Sequence, residues 1–294
     1  MLQVPNLGYQ SGAVNAILLT PQKWPKPRHH YIKVHDKTLG QKGYFYLTPT
    51  PNALKRMCHL LLSFMLLAQV NGQSQDGAKG KLLYQNNLAT ATDTAGWKME
   101  GPAELTYTDG WMHMQSPNEA GHHVLWCPQE FPTDFVAEWE VQNHHPEAGL
   151  CIVFFAAKGL NGEDILDASL PARNGTFTQY TKGAMNNYHI SYYADGENQP
   201  DRGTANLRKN KGFDKVQTGE AGIPLNSVAV HTVRLTKYQG HITLYIDNRK
   251  IIDWTDDGQE HGAVLGDGKI GFRQMKWTHF AYRNFKVWEA VPQP

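Results

Sequence analysis

Cysteine is scarce: three in 294 residues, at Cys58, Cys127 and Cys151, and never as C-x-x-C. That excludes zinc ribbons and fingers and a dense disulfide scaffold. Charged residues make up only 19%, and no unbroken apolar run reaches the roughly 18 residues that a membrane-crossing helix needs. No long segment holds a 3.6-residue period, and there is no internal repeat or low-complexity tract. Helical bundles, coiled coils and solenoids are thereby set aside.

Charge of one sign is missing locally. Residues 1–72 hold eight Lys and Arg against a single acid, Asp36, which leaves 20 basic and 26 acidic residues in 73–294. The formal +1 of the whole chain thus hides a main segment at −6. Such a segment is repelled by nucleic acid and by anionic membranes, so neither is an expected partner.

Residues 55–72, K-R-M-C-H-L-L-L-S-F-M-L-L-A-Q-V-N-G, place two positive charges before an apolar run from Leu60 to Val70, followed by small or polar residues. That is the layout of a secretory signal peptide, too short to be a stable membrane span. We therefore expect 1–53 to be an over-extended, disordered N-terminus and 54–72 a signal peptide. Residues 73–294 would then be one exported domain, secreted or periplasmic. Of its two cysteines, Cys151 sits in the apolar run L-C-I-V-F-F-A-A, which predicts a buried free thiol despite export.

What is present is strand alternation. L-L-Y-Q-N-N-L (82–88), A-E-L-T-Y-T-D-G-W-M-H-M (103–114) and F-V-A-E-W-E-V-Q (135–142) alternate. Residues 150–157 are apolar on both faces, as in a central strand. Further strands are expected at G-T-F-T-Q-Y-T (175–181), Y-H-I-S-Y-Y-A (188–194), T-A-N-L-R-K-N (204–210), 231–237, 241–247, 268–275 and 280–288. That many strands at this spacing predict a single all-β jelly-roll sandwich of two antiparallel sheets.

The hairpin 231–254 and the ending G-x-I-G-F-R…Y-x-N-F-x-V resemble the concanavalin-like jelly rolls. Four longer blocks, H-H-V-L-W-C-P-Q-E-F-P (122–132), F-F-A-A-K-G-L-N-G-E-D-I-L-D (154–167), Y-H-I-S-Y-Y-A and N-L-R-K-N-K-G-F (206–213), together with G-F-R-Q-M, resemble the YesU-type family, catalogued as a domain of unknown function. Its members occur among genes for breaking down uronate-rich polysaccharides. The resemblance implies an oligosaccharide or polysaccharide partner lying across a concave sheet face.

In 188–194, alternation puts Tyr188, Ile190 and Tyr192 on one face and His189, Ser191 and Tyr193 on the other. Asn206, Arg208 and Asn210 share a face of the next strand, and Arg273 lies opposite Ile270 and Phe272. Arginine, asparagine, histidine and tyrosine on one sheet face suit elimination from a uronate. The carboxylate must be neutralised, a base must take the C5 proton, and an acid must help the leaving oxygen depart. The expected catalytic residues are His189, Tyr193, His123 and Tyr180. The expected substrate-binding residues are Arg208, Asn206, Arg273, Asn210, His122, Trp126, Gln179 and Glu138. Of the neighbours His122 and His123, alternation sends only one to the site.

Two other readings stay open. A binding-only module needs the same face without a tuned base. A glycoside hydrolase would need two carboxylates astride a sugar, for which Glu138 and Glu140 have i, i+2 spacing. No cofactor or metal is required. The G-L-N-G-E-D loop, with Glu163 and Asp164, could hold a structural calcium, though its ligand set is incomplete.

Overall fold

The computed structural model describes residues 32–35, 42–45, 76–147, 149–195 and 203–293. The chain divides into two units, Met1–Gly72 and Gln73–Pro294. In the first, β1 (Ile32–His35) pairs antiparallel with β2 (Lys42–Phe45). The remaining expectations for 1–53 and for the 54–72 signal lie outside the described residues.

The second unit runs through β3 (Ala78–Asn86), β4 (Lys98–Glu100), β5 (Glu104–Thr108), β6 (Trp111–Gln115), β7 (His123–Phe131), β8 (Phe135–Asn143) and β9 (Gly149–Gly159). A short helix α1 (Thr178–Thr181) precedes β10 (Met185–Asp195), β11 (Thr204–Asn210) and β12 (Asp214–Ala221). Then come β13 (Val230–Tyr238), β14 (His241–Ile246), β15 (Arg249–Thr255), β16 (Gly268–Gln274) and β17 (Phe280–Val291). Two antiparallel sheets result: seven strands in the order β12-β11-β10-β9-β16-β7-β4, and eight comprising β15-β14-β13-β8-β17-β6-β5 with β3 added along β17. This is the expected all-β jelly roll.

The core between the sheets takes one residue in two from each strand. Val153 and Phe155 of β9, Tyr188 and Ile190 of β10, Ala205 and Leu207 of β11 and Phe272 of β16 meet Trp139, Val141, Val233, Leu235 and Val287 of the eight-stranded sheet. Burying a side chain the size of Ile190 contributes about 1.5–3 kcal/mol, and a one-residue slip would exchange Ile190 for His189, so the register is firmly set. Both Cys127 and Cys151 are buried free thiols. Cys151 Sγ lies 3.0 Å from Tyr192 Oη and 3.1 Å from Tyr282 Oη, and burial pushes its pKa up to about 12.

One expected strand is absent. G-T-F-T-Q-Y-T forms a loop and the single turn α1. Asn174 Oδ1 takes the Thr176 main-chain N–H at 3.2 Å, and the Tyr180 N–H bonds the Phe177 carbonyl at 3.0 Å. Local side-chain capping thus outcompetes the alternating pattern. Gly175 makes this possible: its φ is +92°, and a Cβ there would stand 1.8 Å from the His122 carbonyl oxygen. Among the described residues, no helix is long and apolar enough to cross a membrane.

Candidate functional site

The segment from Gly159 to Lys182 folds over the outer face of the seven-stranded sheet, the face turned away from the other sheet. Beneath it lies a second buried cluster containing Val124 and Trp126 of β7, Ile152 and Phe154 of β9, and Ile165, Tyr180 and Met185. Registers across the sheet align Arg208, His189, Phe154, Gly271, Trp126 and Lys98 in one row. Gly271 belongs in that row because the Trp126 indole lies over it: a Cβ would come within 2.4 Å of the ring.

His189 is on this outer face, with Tyr188 and Ile190 in the intersheet core. It is not open to solvent, being 2% exposed. Phe154 and Phe177 meet it edge-on at 5.4 and 5.6 Å, and Phe213 stacks at 5.9 Å. Its tautomer follows from two amides. Asn187 Nδ2 donates to the Tyr180 carbonyl at 2.8 Å, so Asn187 presents Oδ1 to Asn210 Nδ2, also at 2.8 Å. The other Asn210 Nδ2 proton then points at His189 Nδ1, again at 2.8 Å, which leaves the imidazole proton on Nε2. Burial, with Arg208 and Arg273 nearby, pulls His189 down to about 3. In this arrangement Asn210 occupies its Nδ1 lone pair and Nε2 carries the proton.

Two arginines flank that ring system. Arg208 lies 3.9 Å above the Phe213 ring and donates to the Phe213 carbonyl at 2.9 Å. Arg273 lies 4.5 Å above Phe177 and is fully buried. Its hydrogen bonds are weak ones: Gly175 O at 3.3 Å and Met275 Sδ at 3.3 Å, with Nε unsatisfied. No carboxylate among the described residues pairs with it, and burial lowers it to about 10. A buried guanidinium without an anion is costly.

A cavity of about 930 Å3 opens beside this layer, lined by Glu100, Pro102, His122, Leu170, Arg173 and Gly175 among others. Its polar floor is Glu100, a residue sequence reading did not single out. Arg173 grips the Glu100 carboxylate through Nη2 at 2.7 Å and Nε at 3.1 Å, while Tyr180 Oη donates at 2.8 Å and Trp126 Nε1 at 3.0 Å. Burial and the Glu100 charge push the Tyr180 phenol far up, and its hydroxyl proton is engaged by Glu100. Both Glu100 and Arg173 stand next to ordinary surface-like sequence; only the burial of a charged pair marks them. His122 also lines the cavity. Its Nδ1 accepts the Lys276 main-chain N–H at 3.1 Å, and burial together with Arg273 and Lys276 lowers its pKa.

Several expected site residues lie elsewhere. Tyr193 belongs to the intersheet core, packed on Phe280 at 5.2 Å with Oη donating to the Pro146 carbonyl. A β-bulge between Ser191 and Tyr193 shifts it off the His189 face, a displacement strict alternation cannot foresee. His123 turns to the intersheet side, fully buried and lowered to about 4 by desolvation. Glu138 is on the other sheet, paired with Lys79 at 2.9 Å. Its neighbour Glu140 binds Arg283 at 2.6 Å on that sheet, so the two cannot flank a sugar on the outer face of the seven-stranded sheet. Trp126 is wholly buried and so is no stacking platform in this state. Asn206 stays on the Arg208 strand, its Nδ2 bonding the Thr204 carbonyl at 3.1 Å. Gln179 Oε1 accepts the Asn174 N–H at 2.9 Å and shapes the covering loop. Glu163 folds back on Asn161, and Asp164 takes Lys269 at 3.1 Å. Among the described residues, no group of three or more His, Cys, Asp or Glu converges on a metal position.

Comparison with known proteins places this architecture. The protein YesU of Bacillus subtilis (strain 168), described as uncharacterized, is 37% identical over 217 residues, which cover 72% of this chain and 98% of the relative. A crystal structure of a Bacillus subtilis protein of unknown function with a galectin-like fold is 35% identical and matches with a TM-score of 0.71 over 74% of this chain and all of that one. The VIP36 exoplasmic/lumenal domain, in its Ca2+- and Man3GlcNAc-bound form, is 11% identical with a TM-score of 0.50 over 73% of this chain and 92% of its own, a likeness of fold alone. The family model for the domain of unknown function DUF1961 matches residues 81–287, and the chain belongs to that family.

Proposed function

We propose that the chain binds an acidic oligosaccharide on the outer face of its seven-stranded sheet. The observation that carries this reading is Arg273, a buried cation with no carboxylate partner among the described residues. Cations placed this way are stabilised by an incoming anion, and a planar guanidinium suits a carboxylate. The adjoining cavity of about 930 Å3 is of the size that small ligands occupy. The galectin-like fold of the 35%-identical structure supports a sugar as the anion's carrier.

Turnover by β-elimination, as a lyase or dehydratase, is a second reading, favoured by the neutral state of His189. An imidazole fixed with its proton on Nε2 is suited to donate to an oxygen on which negative charge develops, as the enolate of an elimination requires. Export to the periplasm or beyond belongs to the same proposal and rests on the 55–72 pattern.

Calorimetric titration with a uronate oligosaccharide and with its carboxyl-reduced analogue tests the binding. The acid should bind at least about 30-fold more tightly, some 2 kcal/mol, as expected for one charge-assisted contact. Equal affinities contradict it. Absorbance near 235 nm in the same mixtures reports the conjugated product that elimination alone makes.

A further inference from the structure

Ser227, in the connection from β12 to β13, meets His231 of β13 and Asp247 of the β14–β15 turn. Ser227 Oγ is 2.7 Å from His231 Nε2, and His231 Nδ1 is 2.5 Å from Asp247 Oδ2. The proton positions follow. An ionised carboxylate only accepts, so the imidazole proton sits on Nδ1 facing Asp247. The Nε2 lone pair is then left to accept from the serine hydroxyl. Asp247 is fixed in turn: its Oδ1 takes the Thr232 N–H at 2.9 Å, and its own N–H donates to the Thr232 carbonyl at 3.0 Å.

Asn226, just before the serine, has φ +62° in a turn closed by the Ser227 N–H donating to the Pro224 carbonyl at 3.2 Å. The Ala229 N–H donates to Ser227 Oγ at 3.3 Å, while the Val228 N–H, directly after the serine, has no partner among the described residues. Leu225, Val228 and Val230, close to the serine along the chain, are exposed by 48%, 57% and 44%.

We propose that Ser227, His231 and Asp247 form a nucleophilic triad that cleaves carboxylic esters bearing a short apolar acyl group. Ser227 Oγ bonds to the acyl carbon as its proton passes to His231 Nε2. The C–O bond to the alcohol breaks, and the imidazolium returns the proton to the departing alkoxide. Water, deprotonated by the same nitrogen, then releases the acid and restores the serine. Asp247 holds the ring and its tautomer. None of these residues takes part in the acidic-sugar site, so either proposal can fail alone.

The test treats the purified full chain with a fluorophosphonate and maps the modified peptide, alongside hydrolysis of p-nitrophenyl acetate. Ser227 should carry the label stoichiometrically. Ser227→Ala should abolish labelling and reduce hydrolysis at least about 100-fold, and Asp247→Asn, which leaves the ring in the wrong tautomer, should do nearly as much. An unlabelled Ser227 in the folded, unsubstituted chain overturns the proposal, whatever the variants do. So does hydrolysis that persists unchanged in Ser227→Ala.

Discussion

The two outer faces of the sandwich obey the same alternation and do opposite things with it. On the eight-stranded sheet the outward polar residues face solvent and pair off: Lys79 with Glu138 at 2.9 Å, and Arg283 with Glu140 at 2.6 Å. On the seven-stranded sheet the 159–182 segment covers part of that face, and charge beneath it is unbalanced. Glu100 accepts four hydrogen bonds from three residues, whereas Arg273 has none of the anions it would need. A polar face therefore says little about function until its pairing is known. Completed pairs mark a solvated surface, and an unpaired buried cation marks a place for a ligand.

The largest effect that would sharpen this contrast is at Glu100. Glu100→Ala strands Arg173, whose side chain is only 8% exposed, and should cost about 3–5 kcal/mol in chemical denaturation, with the Tyr180 and Trp126 donors also orphaned. A loss below 1 kcal/mol would show the covering segment to be loosely held. Removing the opposite charge should behave quite differently. Arg273→Met takes away a buried cation that leaves no carboxylate stranded and gives up only two 3.3 Å contacts, to the Gly175 carbonyl and Met275 Sδ, so the apo-protein should keep or gain stability.

Acid should act on the buried rings. Burial holds His189 at about 3 and His123 at about 4, against an ordinary 6.5. The unfolded chain therefore binds protons there that the folded chain refuses. Their contribution to stability is complete above pH 6.5 and declines as the pH falls toward 4 and then 3. Each ring accounts for up to about 1.4 kcal/mol per pH unit. His189→Gln should flatten this acid limb by one proton in urea midpoints compared at pH 7 and 4.5. An unchanged slope would mean that His189 is more accessible than its aromatic cage suggests.

The smallest effect belongs to the other sheet. Lys79→Met should change stability by less than about 1 kcal/mol and leave oligosaccharide affinity untouched, because both members of its pair are a third or so exposed. A loss of affinity there would bring the wrong face into the site.

Much of the fold could be read from the sequence because burial of Tyr188, Ile190 and Tyr192 leaves only one register for their strand. The same reasoning located His189, Arg208 and Arg273 on one face. It missed what alternation does not encode. The bulge after Ser191 carried Tyr193 into the core, and the Asn174 turn replaced a strand by the covering loop. That loop in turn made Glu100 and Arg173 partners across 73 residues of chain, a pairing no local pattern announces. Ser227, His231 and Asp247 were equally silent, since their junction depends on a turn and a connection meeting in space.

The central claim is that Arg273 waits for the anionic group of a sugar. Its most direct test is the ratio of affinities for a uronate oligosaccharide and its carboxyl-reduced analogue, measured in the unsubstituted chain and in Arg273→Met. The account predicts a preference for the acid of about 30-fold or more that collapses to near unity in a variant folded as well as its parent. A preference that survives the substitution intact would contradict it.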